Sequence, residues 1–349
     1  MIKAGIIGGA GYTGGELIRL LLRHPSVTLS FVHSKSSAGQ PLYSVHQDLL
    51  GDTEMNFTDE LNSNIDVLFL CTGHGEAKKF LEAHPQPASV AIIDLSNDFR
   101  LQANRRFQGR DFIYGLPELN RNAIKAMAGK ENLAIANPGC FATTIQVGLL
   151  PLAQEGWLDE VYTTGITGST GAGQSLSATS HFSWRANNIQ AYKTLNHQHL
   201  GEIGESLLQC QRANETKASG GGQQEKQGVS ANQNSLEISF VPWRGDFTRG
   251  IFVSSTITLD KPLPLLIDLF KSFYQSHPFT HVSKEPIFLK QVVNTNKALV
   301  QLEKVGTKLV IHSAMDNLLK GASGQAVQNM NLLFRRPETE GLQLKAGYF

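Results

Sequence analysis

Lys3-Ala4-Gly5-Ile6-Ile7-Gly8-Gly9-Ala10-Gly11-Tyr12-Thr13-Gly14-Gly15-Glu16-Leu17-Ile18-Arg19-Leu20-Leu21-Leu22-Arg23-His24-Pro25 is a short apolar run, a glycine turn, and an amphipathic helical run stopped by proline. Gly9, Gly11 and Gly14 fit the G-x-G-x-x-G pattern, whose glycines allow a tight turn, close approach of a pyrophosphate to the backbone, and close packing of the helix. The pattern alone is weak in a chain with 33 glycines. Directly after a strand and directly before a helix, it predicts a dinucleotide-binding turn, with Gly8, Gly9, Gly11, Tyr12, Thr13 and Gly14 at the cofactor.

Working outward, Val27–Val32 is the expected second strand. The residues past its end discriminate between dinucleotides, because an acid there holds a ribose 2′-hydroxyl and repels a 2′-phosphate. The chain reads His33-Ser34-Lys35-Ser36-Ser37 with no acid, so Ser34, Lys35 and Ser36 predict NADP. Continuous apolar runs at Ile65–Cys71 and Val90–Leu95 have the character of buried parallel strands. Cys71 and His74 fall at a strand end beside the cofactor. Ser96-Asn97-Asp98-Phe99-Arg100 follows the next strand, where ligands of open α/β sheets sit, and Arg100 suits a planar anion.

Leu133-Ala134-Ile135-Ala136 leads into Asn137-Pro138-Gly139-Cys140-Phe141-Ala142-Thr143-Thr144, which places Cys140 at the start of a helix expected to end before Pro151. Free N–H groups and the helix dipole favour thiolate there, making Cys140 a candidate nucleophile. A free cysteine is as often a small buried apolar residue. After Pro151 come a strand at 161–167, a glycine-rich loop at 168–173 with N–H donors for an anion, and His197-Gln198-His199. No HxxxH or cysteine partner supports a metal at this pair, and service to Cys140 as a base fits it better. Alternating runs at 236–242 and 250–259 flank Arg249. Helical 263–274 and strand 308–314 complete a second α/β unit with a mixed sheet, whose exposed face suits self-association.

The expected architecture is therefore α/β: an N-terminal Rossmann-type parallel sheet over 1–148, completed by a closing helix within 316–349, and a catalytic and oligomerisation unit over 149–315. A polar, glycine-rich insert at 211–235 interrupts the latter. Net charge is +1 with both signs interspersed, which argues against nucleic acid as a partner. No run approaches a membrane span or a signal peptide. Three widely spaced cysteines, Cys71, Cys140 and Cys210, predict neither a disulfide framework nor a zinc site and suit a reducing cytoplasm.

These motifs, with Leu95–Arg100, Tyr114-Gly115-Leu116-Pro117-Glu118-Leu119 and Asp316-Asn317-Leu318-Leu319-Lys320-Gly321-Ala322-Ser323-Gly324-Gln325-Ala326, resemble in their order the N-acetyl-γ-glutamyl-phosphate reductases, a branch of the aspartate-semialdehyde dehydrogenase superfamily. The resemblance spans nearly the whole chain. It implies an NADPH-dependent enzyme of arginine biosynthesis, a small-molecule substrate and a homo-oligomer, dimer or tetramer. Cys140 is implied as nucleophile and His197 and His199 as the acid/base and substrate pair. Asn317 is implied at the cofactor, and Ser96, Arg100, Asn137, Glu118 and Arg249 at the substrate. The family often has arginine between the histidines where this chain has Gln198, so an N-succinyl or other acyl substrate stays open beside N-acetyl. A non-catalytic NADP-binding redox sensor is the reading from another class.

Overall fold

The computed structural model describes residues 1–218 and 236–348. Strands β1 (Ile2–Ile7), β2 (Val27–His33), β3 (Val67–Leu70), β4 (Ala91–Asp94), β7 (Ile113–Tyr114) and β8 (Ala134–Ala136) form a six-stranded sheet in the order β2-β1-β3-β4-β8-β7. Every pairing in it is parallel. A two-residue hairpin, β5 (Arg106–Phe107) with β6 (Arg110–Asp111), stands apart. Parallel strands need crossovers on the faces, so both faces of the sheet are buried and its strands are continuously apolar. Helix α1 (Tyr12–Leu22) and the late helix α8 (Gly324–Leu333) cover one face, where Leu17, Ile18, Leu21, Val327 and Met330 meet Ile6, Phe69 and Ile93. Helix α2 (Glu76–Ala83) and the loops carrying Phe99 and Phe112 cover the other.

The chain turns to opposite sides of β1 on its way to β2 and β3, which opens a crevice at the carboxyl end of β1. Gly8 lies there with φ of 79°, and a Cβ on it would stand 2.4 Å from the Cys71 carbonyl oxygen at the end of β3. Only glycine fits both the dihedral and the approach.

The second sheet has seven strands, ordered β10 (Gln190–Ala191), β11 (Glu237–Arg244), β9 (Glu160–Thr167), β12 (Ile251–Thr258), β15 (Lys308–Met315), β14 (Ala298–Val305) and β13 (Thr280–Ser283). It is mixed, with β9–β11 and β13–β14 parallel and the other pairs antiparallel. One face packs on α4 (Cys140–Gln154), α6 (Leu200–Ala218) and α7 (Leu263–Tyr274) through Ile145, Leu149, Leu207, Phe270, Phe240 and Ile311. The other leaves Tyr162 and Thr164 of β9 exposed, so β9 alternates buried and exposed residues as a sheet covered on one side does.

Several expectations change here. Helix α4 does not stop before Pro151 but runs through it to Gln154. Proline lacks the N–H that Val147 would receive, and the Tyr274 hydroxyl of α7 donates to the Val147 carbonyl instead. The turn at Tyr114–Asn120 is the entry to helix α3 (Pro117–Met127), with Pro117 at its first position. The closing helix is a π turn, Leu319–Ser323, followed by α8, and residues after Leu333 form turns and extended chain against the first sheet's core. Of the expected insert at 211–235, α6 takes the part up to Ala218, and 219–235 lie outside the described residues.

Candidate active site

Between the glycine turn and the second sheet lies a cleft of about 570 Å³ whose walls include Tyr12, Thr13, Cys71, Cys140, His199 and Thr170. Cys140 begins α4 because Pro138-Gly139 ends β8 and the chain then enters a helix with no side-chain cap. The two N–H groups of Cys140 and Phe141 point at the thiol and lower its pKa, as does Arg100. Burial outweighs them and pushes the thiol up to about 11. The helix terminus therefore does not yield a resting thiolate, contrary to the expectation from sequence, because desolvation of the charged form is the larger effect. Cys140 nevertheless keeps a partly exposed face.

His199 lies directly beside this residue. A Cβ built on Gly139 would stand 2.3 Å from His199 Nε2, so the imidazole packs flat against the turn that presents the cysteine. His199 Nδ1 is buried without a hydrogen-bond partner. His197 sits one layer back, its ring among Phe141, Tyr192 and Phe240, and its Nδ1 accepts the His199 N–H at 3.2 Å. Burial, with Lys193 adding to it, pushes His197 down to about 4. Burial and then Arg100 hold His199 well below the ordinary imidazole value. Both rings are neutral at neutral pH.

Glu202, from the first turn of α6, organises the turn from below and was missed in the sequence. It accepts Arg100 Nη1 at 2.9 Å, the Tyr114 hydroxyl at 2.8 Å and the Gly139 N–H at 3.1 Å, with 3% of its surface exposed. The one available signal was its place three residues after His199, a single helical turn. The π turn closes the other side, where a Cβ on Gly321 would come within 2.9 Å of Cys140 Cβ.

The polar groups expected at the substrate are largely engaged by the protein itself. Arg100 donates to Asn137 O, Leu95 O and Glu202, so it braces the turn although it borders the cleft. The Asn137 amide donates to Ala322 O and accepts from Asn329. Ser96 is fully buried and donates to Asp94. Glu118 is fully buried in an ion pair with Lys320 at 2.9 Å, and Arg249 is held by Asp316 and Glu16. Neither Glu118 nor Arg249 reaches the cleft. Of the five expected at the substrate, Arg100 and Asn137 border the cleft while held by protein partners, whereas Ser96, Glu118 and Arg249 do not line it, because a buried charge or amide takes a protein partner.

On the cofactor side, Gly11, Tyr12 and Thr13 line the cleft at the uncapped start of α1, and a Cβ on Gly11 would have only Gly8 O, at 3.7 Å, within 4 Å. Gly8, Gly9 and Gly14 build the turn beneath them. Thr72 Oγ1, on the cleft wall, is buried without a partner. This is a fit for a dinucleotide: free helix N–H groups for pyrophosphate and an orphaned hydroxyl beside it. Ser34, Lys35 and Ser36 follow the end of β2, outside the main cleft, with Lys35 exposed. Asn317 borders the cleft, and its amide ties Gly250 N–H to Thr170 Oγ1, which clamps the loop there. Gln198 accepts from Lys193 Nζ at 2.6 Å and lies 3.2 Å from His74 Nε2.

Two family models cover this geometry. Residues 3–127 match the semialdehyde dehydrogenase NAD binding domain, and 140–219 with 223–317 match the semialdehyde dehydrogenase dimerisation domain. Proteins named N-acetyl-gamma-glutamyl-phosphate reductase are 52% identical in Christiangramia forsetii and 51% in Flavobacterium johnsoniae, over the full length of both chains. The chain belongs to the N-acetyl-γ-glutamyl-phosphate reductase family of semialdehyde dehydrogenases. Solved aspartate semialdehyde dehydrogenases share the family's fold. The Vibrio cholerae enzyme II, complexed with ASA, is 16% identical with a TM-score of 0.69 over 96% of this chain and 98% of its own. The Candida albicans enzyme, solved with NADP, is 15% identical with a TM-score of 0.67 over 95% and 98%. Among the described residues no helix is long and apolar enough to cross a membrane.

Proposed function

We propose that the chain reduces an N-acyl-γ-glutamyl phosphate, N-acetyl by the name its relatives carry, to the semialdehyde and phosphate in cytoplasmic arginine biosynthesis. One observation carries the reading: His199 packs against the helix-start turn that presents Cys140, in the same cleft as the glycine turn. Lys35, with no acid beside it, supports NADPH as the reductant. The uncovered face of the second sheet, with Tyr162 exposed, and the match to a dimerisation domain support a homo-oligomer. The expected boundary near 148 falls inside α4, which packs on the second sheet from its first turn; a division at the start of α4, where the dimerisation-domain match begins, puts Cys140 at the seam.

At rest the cleft holds a neutral thiol and a neutral imidazole, so proton transfer is coupled to bond formation. As Cys140 Sγ bonds to the γ-acyl carbon, His199 takes the thiol proton, the carbon–oxygen bond to phosphate breaks, and the departing oxygen receives that proton. The backbone N–H groups of Cys140 and Phe141, which favour negative charge at the thiol, are the donors at this helix start for the oxyanion. The bound dinucleotide supplies the hydride that reduces the thioester carbon. The tetrahedral oxyanion on Cys140 then collapses, the carbon–sulfur bond breaks and the aldehyde leaves, and a proton taken up from water is relayed by His199 to the thiolate. Glu202 and His197 hold the two reacting side chains in place.

Phosphate-dependent reduction of NADP, run with N-acetylglutamate semialdehyde, its N-succinyl counterpart and aspartate semialdehyde, tests the proposal. Turnover with an acylated glutamate semialdehyde is expected. Cys140→Ser should lower kcat by about 10³-fold or more, and His199→Gln by about 10²- to 10⁴-fold. NADP binding without turnover of any of the three substrates would instead favour the redox sensor.

A further inference from the structure

One edge of one arginine in the cleft has no partner. Arg185, the last residue of the short helix α5 (Phe182–Arg185), lines the cleft with its Nε and Nη2 both closed off from solvent and without a hydrogen bond. These two nitrogens form the side-on fork of a guanidinium, whose parallel N–H groups match the two oxygens of a carboxylate. Leaving them buried and unpaired is costly, which points to a ligand that completes them. A second cation stands beside it. Arg244, the last residue of β11, donates to Thr179 Oγ1 at 2.8 Å, and its guanidinium carbon lies 4.6 Å from the centre of the Tyr192 ring. Tyr192, Arg185 and Arg244 line the same cleft as Cys140, so this wall and the nucleophile face one space. The carboxylate nearest Arg185 in effect, Asp246, is exposed and accepts the Asn187 N–H at 2.6 Å. Among the described residues, no aspartate or glutamate lines the cleft.

We propose that Arg185 and Arg244, with Tyr192 beneath, form a carboxylate subsite that seats one carboxylate of the acylated glutamate while its γ end is presented to Cys140. The inference rests on the reductase reading for the identity of the substrate. Two carboxylates of the same chemistry could fill the subsite: the α-carboxylate of the glutamyl unit, or the terminal carboxylate of a dicarboxylic N-acyl group. Arg185 and Arg244 supply positive charge at this wall in a chain whose Gln198 stands where the family often has arginine.

Calorimetric titration of the full chain separates these sources without needing turnover. Three unreactive probes serve: N-acetylglutamine, with an α-carboxylate alone; N-succinylglutamine, with a second carboxylate on its acyl group; and N-acetylglutamine amide, with none. Arg185→Ala is expected to weaken carboxylate-bearing probes by about 10- to 100-fold and to leave the diamide unchanged. Arg185→Lys should recover part of the loss, since it restores charge but not the fork, and Arg244→Ala should act in the same direction. Equal loss for both acids assigns the α-carboxylate, whereas loss confined to the succinyl probe assigns the acyl terminus. The proposal is overturned if folded Arg185→Ala binds all three as the parent does, or if the parent does not distinguish the acids from the diamide. A parent chain that distinguishes them yet reduces no NADP keeps the subsite and removes the reaction.

Discussion

At the residue scale, the side chains that touch the cleft differ from those that merely look reactive. Cys140 and the histidine pair are exposed to the logic of sequence because few other residues there carry nucleophile or base chemistry. Their protonation is not, since it depends on burial. With the thiol pushed up to about 11 by burial, its thiolate fraction grows through the whole range from neutral to mildly alkaline. Carboxamidomethylation of Cys140 by iodoacetamide should accelerate about tenfold per pH unit between pH 7 and 9, with no plateau. A rate already level by pH 7 would mean that the helix terminus outweighs desolvation after all. Arg100, Asn137, Ser96, Glu118 and Arg249 show the converse. Each is a reasonable anion or substrate ligand by type and position, and each is engaged by the protein itself: Ser96 by its neighbour Asp94, the others by partners distant in sequence, as with Arg249 and Glu16, 233 residues apart. Arg185 was passed over in the sequence because nothing local marks an arginine that lacks a partner.

At the scale of elements, strands and helices were legible wherever one face or both faces are apolar. Five strands of the parallel sheet, β1, β2, β3, β4 and β8, together with β9, β12 and α7, fall within a residue or two of where their patterns place them, whereas the two-residue β7 was not expected as a strand. Strand β14, Ala-Leu-Val-Gln-Leu-Glu-Lys-Val, escaped because its alternation is broken and only pairing with β15 and β13 holds it extended. Helix α4 escaped at its end because proline normally stops a helix. Its continuation depends on the Tyr274 hydroxyl at the Val147 carbonyl, on a tyrosine 3% exposed. Tyr274→Phe should therefore destabilise the chain by about 1–3 kcal/mol, the cost of a buried unpaired carbonyl, in urea denaturation. An unchanged midpoint would show that another donor replaces the hydroxyl.

At the scale of the whole molecule, the π turn and α8 fasten the second sheet's last strand back onto the first sheet, and a fully buried ion pair helps anchor the passage. Lys320 and Glu118 are completely buried, and Gln328 and Thr280 complete their hydrogen bonds. Burial raises the Glu118 carboxyl, but Lys320 and His277 more than offset it, leaving its pKa lowered. That sign makes the contribution present above the unfolded carboxylate value, about 4.3, and lost as pH falls through the folded value. Lys320→Met should cost about 3–5 kcal/mol at pH 7 by leaving a buried carboxylate alone, with the deficit narrowing in acid as that carboxylate protonates. A uniform deficit from pH 7 to pH 4 in chemical denaturation would sink this account. By itself, the sequence determined the glycine turn and its parallel sheet, the cysteine at a helix start, and the family, because these depend on local periodicity, dihedral demands and motif order. Only the tertiary structure decided which polar residues brace the turn and which edge of which arginine is left open. Hydrogen-bond partners far apart in sequence, and the loss of solvent that forces them to pair, exist only once the two sheets have closed around the cleft.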